Sequence, residues 1–256
     1  MFKKLILGTS VLAIVLAIFI VNVQTDDRPA PIQALEAQGV KIAGTFPTPG
    51  GVTGYAGMHG QQAVAIYVTA DGKQAIVGTM IDSQGNNLSQ ESLNKLLNKP
   101  MTEQTWRQLE QSHWIADGSD SAERVVYTFT DPNCPYCNQL WNDARPWITS
   151  GKVQLRHVIV AILAPSSAGK AAALLSAKDP QIALSEHEQE HAFGGIEPLD
   201  QISETVRQQL DANQQLMQQL GLSATPAILY KDASGILQKM QGAPSAERLV
   251  SIFGPR

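Results

Sequence analysis

Residues 123–150 read ERVVYTFTDPNCPYCNQLWNDARPWITS, and this stretch decides the fold. Residues 125–129 are all β-branched or aromatic and read as a strand. Asp131-Pro132-Asn133 ends that strand in a turn. Cys134 then stands where a helix begins. Pro135 takes the first helical position, which a proline tolerates because its missing N–H would be unpaired there anyway. From there Cys137, Leu140 or Trp141, Ala144, and Trp147 or Ile148 recur at helical spacing, and Pro146 kinks or ends the run. The spacing predicts Cys137 on the apolar, buried face and Cys134 at the exposed tip. Trp141 and Trp147 read as packing behind the pair. Free backbone N–H groups and the helix dipole favour a thiolate on Cys134.

Cys134 and Cys137 are the only cysteines in 256 residues. Two thiols exclude a disulfide-framework protein and a cysteine-only zinc site. A bond between them closes so short a loop that chain entropy supplies only roughly 2 kcal/mol. Stapling therefore explains little, and a redox role explains the spacing better. Cys134 is read as the attacking nucleophile and Cys137 as the resolving thiol.

Working outward toward the C-terminus, residues 153–161 read as a strand, and helical pattern returns over 167–177 and 199–220. In the latter Leu199, Ile202, Val206, Leu210, Met217 and Leu220 fall largely on one face, and Gly221 can end the helix. Strands 227–230 and 236–240 pair across a short turn, and 245–253 closes the chain as a helix. A β-α-β opening and a β-β-α ending make an α/β sandwich of thioredoxin type with a helical insertion. Thr225-Pro226 opens the strand at 227, a place where proline is often cis.

Toward the N-terminus, residues 31–85 read as a small α+β unit. It has a helix over 32–38 and strands over 40–46, 52–58 and 63–69. The hairpin AVAIYVTA-DG-KQAIVGTM carries Asp71-Gly72, which suits a type I′ turn. A unit this small needs another surface to complete its core, from a partner chain or from the second domain. Residues 89–113 read as helical, with Ser89 as cap and Leu93, Leu96 and Leu97 as one stripe. Pro100 interrupts this run, which restarts with Trp106 and Leu109. The small, polar stretch over 116–121 marks a domain boundary.

The chain opens Met1-Phe2-Lys3-Lys4 and continues with an apolar run to Val23, closed by Asp26-Asp27. A cleaved secretory signal and an uncleaved signal anchor both fit residues 1–24, and both export the rest of the chain. The exported part therefore works in an oxidising or redox-managed compartment. The overall net charge of −4 includes no basic stripe, which argues against a nucleic-acid partner.

FTDPNCPYCNQLWNDARPWITSGKVQLR and LGLSATPAILY, taken together, resemble the thioredoxin-fold thiol:disulfide interchange proteins of the bacterial periplasm, the DsbC/DsbG family, and its DsbG side most of all. The resemblance covers most of residues 120–256, and the layout of 31–113 is similar. It implies residues 25–88 as a cystatin-like dimerisation domain, 89–119 as a linker helix and 120–256 as the catalytic domain. It implies a homodimer with facing catalytic domains, kept reduced by a DsbD-type inner-membrane reductase and acting on misfolded or oxidised periplasmic proteins. Disulfide isomerisation or reduction, reduction of sulfenic acids and chaperone-like holding are the implied activities, and no cofactor is implied. Residue by residue, Cys134 is the nucleophile, Cys137 resolves, Pro226 is the cis-proline and Thr225 precedes it, with Pro135 and Tyr136 beside the substrate. One departure stands out. Where thioredoxin carries a buried acid, six residues before the first cysteine, this chain has Thr128, so the proton acceptor for Cys137 is water or another group. Asp131 reads first as a turn residue.

His187-Glu188-Gln189-Glu190-His191 spells the H-E-x-x-H pattern of zinc peptidases. The third-ligand position of the longer motif is Glu197, and glutamates surround the histidines, which suits a solvated helix face. Zinc peptidase chemistry through His187, Glu188 and His191 is thus the remote alternative. A binding protein whose cleft matters more than its thiols is the nearer one.

Overall fold

The computed structural model describes residues 28–60 and 62–255. The leader read over 1–24 lies outside the described residues. Among those described, no helix is long and apolar enough to cross a membrane.

Helix α1 (Ala30–Ala37) precedes an antiparallel meander of β1 (Val40–Phe46), β2 (Thr53–His59), β3 (Gln62–Val68) and β4 (Ala75–Val77). Alternation of side chains gives this sheet two apolar faces. Ile32 and Leu35 of α1 cover one, against Val40, Tyr55, Ile66 and Val68. Leu93, Leu96 and Leu97 cover the other, against Phe46, Ala56, Ala65 and Tyr67. The missing surface for the small unit thus comes from the connecting helix of the same chain. The β3–β4 turn departs from type I′, which needs positive φ at both central residues. Only Gly72 has it, at 70°, and its N–H bonds the Thr69 carbonyl at 2.8 Å, so the turn spans residues 69–72.

Pro100 does not break the connecting helix. Helix α2 (Gln90–Leu93) runs into a π-helical segment (Asn94–Asn98) and then α3 (Lys99–Glu110), with Pro100 in the first turn of α3. The Lys99 N–H bonds the Asn94 carbonyl, five residues back. This wider turn lets the chain continue past a residue that cannot donate to a carbonyl four back.

The second sheet has the order β5-β7-β6-β8-β9. It comprises β5 (Trp114–Asp117), β6 (Arg124–Thr130), β7 (Val153–Ile159), β8 (Ala227–Lys231) and β9 (Leu237–Gln241). Only β6 and β7 run parallel, joined by α4 (Pro135–Thr149). Edge strand β5, read from sequence as part of the connector, pairs antiparallel with β7. Helices α5 (Ser167–Leu175), α6 (Pro180–Gln189) and α7 (Glu204–Gln219) come after β7, and α8 (Ala246–Phe253) ends the chain. Helix α7 starts later than its apolar periodicity suggests, because Ser203 caps it, accepting from the Val206 N–H, and leaves Leu199 and Ile202 ahead of it.

Leu140, Ala144, Trp147 and Ile148 of α4 pack with α8 on one face of this sheet, over Val126, Leu155 and Ile228. On the other face Leu216, Met217 and Leu220 of α7, joined by Leu109 of α3, cover Tyr127, Phe129, Val158 and Leu229. The cysteines therefore sit at the head of a helix whose buried face is fixed along four turns.

Candidate active site

Strand β6 ends at Thr130, and the buried Asp131 carboxylate shapes the turn that leads to the cysteines. Oδ1 accepts from the Asn133 N–H at 2.9 Å and the Ser167 hydroxyl at 2.8 Å. Oδ2 accepts from the Ile162 and Leu163 N–H groups at 2.7 and 2.9 Å. Four donors satisfy a buried charge and tie the cysteine turn to the chain beyond β7. Asp131 is thus a turn residue, as its sequence suggests, and also an anchor between segments.

Cys134 caps α4: its Sγ accepts from the Cys137 N–H at 3.3 Å. Its Sγ lies 3.3 Å from the Thr225 carbonyl oxygen, to which the protonated thiol donates, across the cis Thr225-Pro226 peptide that opens β8. The expectation of an exposed Cys134 is corrected by this packing. The residue is 2% exposed, because its sulfur folds inward onto the helix and is covered by the Thr225 loop. The exposed tip is Pro135 and Tyr136. Cys134, Cys137, Thr225 and Pro226 all come together.

The two thiols are driven apart. A hydrogen bond from the Cys137 side chain draws the Cys134 thiol down to about 6. It acts against burial and is helped by the Thr225 side chain and the N–H groups of Cys137 and Tyr136. Burial pushes Cys137 far above the ordinary thiol range, and the negative Cys134 sulfur beside it adds to that. At pH 7 Cys134 is therefore mainly thiolate while Cys137 keeps its proton. The Thr225 hydroxyl is buried near both sulfurs without a hydrogen bond of normal geometry.

Beneath α4 the Thr128 hydroxyl is likewise buried and unpartnered among the described residues. Nearby, His157 Nδ1 lies 3.0 Å from the Thr130 hydroxyl, and its Nε2 is 3.8 Å from Asp117 Oδ2. Asp117 also pairs with Arg145 of α4. Burial opposes charge on Asp117, but His157 and Arg145 outweigh it and hold its carboxyl low.

The H-E-x-x-H run is engaged in other contacts. His187 Nδ1 accepts from the Ile196 N–H at 2.9 Å, so Nε2 carries the proton and donates to the Pro132 carbonyl at 2.8 Å. Burial lowers His187 to about 4, so it stays neutral. Glu188 is buried, which raises its carboxyl, and Asn138 Nδ2 bonds its Oε2 at 2.8 Å. His191 lies past the end of α6, in the short turn His191–Phe193. With both its nitrogens engaged, His187 has no free lone pair to offer, so it cannot join His191 in holding a zinc ion. Sequence reading missed His187 as a strut, and it missed Lys170, whose Nζ donates to Asn133 Oδ1 at 3.0 Å. Neither contact has a local signal, since the partners lie 55 and 37 residues apart.

Comparison with known proteins accords with this geometry. A family profile described as a thioredoxin-like domain matches residues 116–254, and one described as a disulfide bond isomerase protein N-terminal domain matches residues 22–90. The chain is 48% identical over 231 residues to thiol:disulfide interchange protein DsbG of Pseudomonas aeruginosa, covering 90% of each. It is 41% identical over 257 residues to the protein of the same name from Escherichia coli (strain K12), covering 99% of each. Among solved structures, the catalytic domain of Proteus mirabilis ScsC shares the fold, with a TM-score of 0.52 and 21% identity over 60% of this chain and 96% of that one. The likeness to the two DsbG proteins runs through both units of the chain, and the protein belongs to the DsbG family of thiol:disulfide interchange proteins.

Proposed function

We propose that this protein reduces or isomerises oxidised proteins in the periplasm. The Cys134 thiolate attacks one sulfur of a substrate disulfide. An S–S bond forms to Cys134, the substrate bond breaks, and the second substrate sulfur leaves as a thiolate. Cys137 then loses its proton and attacks Cys134. This forms the Cys134–Cys137 disulfide and frees the substrate thiolate, which completes a reduction. If the freed substrate thiolate first attacks a second disulfide of the substrate, and the thiolate released there attacks the mixed disulfide and expels Cys134, the outcome is isomerisation. With a sulfenic acid the first leaving group is hydroxide, which takes a proton to become water.

The observation that carries this reading is the opposite displacement of the two thiols, about 6 for Cys134 and far above the usual range for Cys137. A stable thiolate attacks and leaves readily, and a protonated neighbour waits its turn. The Thr225-Pro226 segment, Pro135 and Tyr136 border the sulfur and supply substrate contacts, and the unpartnered Thr225 hydroxyl offers a donor to an incoming group. The domain boundaries at 25–88, 89–119 and 120–256 belong to the same reading. So does a homodimer formed through the N-terminal units, supported by the exposed Ile76 and Val77 on edge strand β4. A DsbD-type membrane reductase supplies electrons. Trapping with acid and alkylating directly in expressing cells tests the direction of flow: a mainly reduced Cys134–Cys137 pair is expected, and a mainly oxidised pair would sink the proposal.

A further inference from the structure

Phe193 is the most exposed large apolar side chain among those described, at 89%. It ends the short turn His191–Phe193 after α6, and that turn is fastened on both sides to the residues just before Cys134. On one side Lys170 Nζ bridges Asn133 Oδ1 at 3.0 Å and the Gly194 carbonyl at 2.6 Å. On the other, His187 bridges the Pro132 carbonyl and the Ile196 N–H. Gly195 has φ +64°, and a Cβ there would lie 2.3 Å from His187 Nδ1, so the loop closes on the imidazole only with glycine at this position. The H-E-x-x-H run therefore holds an apolar residue beside the cysteine turn.

Two more exposed apolar side chains lie in, or are tied to, the cysteine turn. Tyr136, between the cysteines, is 59% exposed. Leu163 is 51% exposed, and its N–H is held by Asp131 Oδ2. Three segments separate in sequence thus present large apolar groups, and each is anchored within the span 131–136, next to Cys134 in the chain. Exposure of this kind, clustered and held in place, marks a contact surface.

We propose that Phe193, with Leu163 and Tyr136, forms an apolar rim that receives the side chain flanking an oxidised cysteine in an extended polypeptide. The occupant is set by continuity with the site where the substrate sulfur must arrive. Large apolar side chains are mostly buried in folded proteins, so a misfolded or incompletely folded chain offers one beside its disulfide more often, and the rim favours such substrates. This inference rests on the reading of Cys134 as the attacking thiolate.

The test uses the full reduced chain and two synthetic peptides, each with one intramolecular disulfide and differing only in Leu or Ser next to the cysteine. The readout is the ratio of their second-order rates. The wild type is expected to favour the leucine peptide by about tenfold, as burial of one such side chain allows. Phe193→Ser brings the ratio near one, whereas Val250→Ser, at an exposed apolar site on α8, keeps it. An unchanged ratio in Phe193→Ser overturns the proposal, whether or not both rates fall together, and so does a wild type without preference. Failure of the underlying reading looks different: the wild type would form no mixed disulfide through Cys134 with either peptide.

Discussion

Cys134 and Cys137 lie one helical turn apart and are equally buried, yet one is ionised and the other protonated at neutral pH. Position on the helix decides it: the capping residue faces free N–H groups, and the residue three further on faces the core. The alkylation rate of reduced protein with iodoacetamide should therefore rise with a midpoint near pH 6, and Thr225→Val should move that midpoint upward. Linkage gives a second sign. The Cys134 thiol is lowered from an ordinary 9.0, so its contribution to stability is full above that value and lost as pH falls through about 6. Cys137 is raised, so its cost appears only above the ordinary value. This pair was legible from C-P-Y-C after a strand. The burial of Cys134 was not, because its cover arrives from Thr225, 91 residues away.

At the level of elements, α4 followed its periodicity closely: Cys137, Leu140, Trp141, Ala144, Trp147 and Ile148 are all buried. Pattern failed where tertiary contacts took over. Pro100 passes through a helix that widens to accept it, and Trp114–Asp117 joins a sheet although it is only four residues long and runs into a linker-like stretch. A buried side chain of the catalytic unit grips the end of the connector. Asn213 of α7 is fully buried, accepts from the His113 N–H at 3.0 Å, and donates to the carbonyls of His113 and Ile159 at 2.8 and 2.9 Å. Asn213→Ala removes three hydrogen bonds to backbone groups and should cost about 3 kcal/mol or more, at about 1–3 kcal/mol for each. A lower urea midpoint with unchanged slope is expected, and an unchanged midpoint would show that the three groups find other partners.

For the whole molecule, two sheets share one connecting helix. Leu93, Leu96 and Leu97 complete the small core, and Trp106 and Leu109 complete the large one. Trp106 stacks edge-on to Tyr127 with centroids 5.1 Å apart, and Lys231 Nζ sits 4.2 Å from its ring centroid, so the helix travels with the catalytic unit. In the proposed reading, the remaining apolar edge at Ile76 and Val77 is the self-association surface. Sedimentation velocity should show a dimer that Val77→Lys converts to monomer, and a wild-type monomer at micromolar concentration would refute this.

The central claim is that Cys134 attacks and Cys137 resolves. Purifying Cys137→Ala from expressing cells under acid and resolving it without reductant tests this most directly. The account predicts substrate proteins joined through Cys134, released by dithiothreitol and absent from Cys134→Ala. Adducts carried by Cys137 in Cys134→Ala, with none in Cys137→Ala, would contradict it.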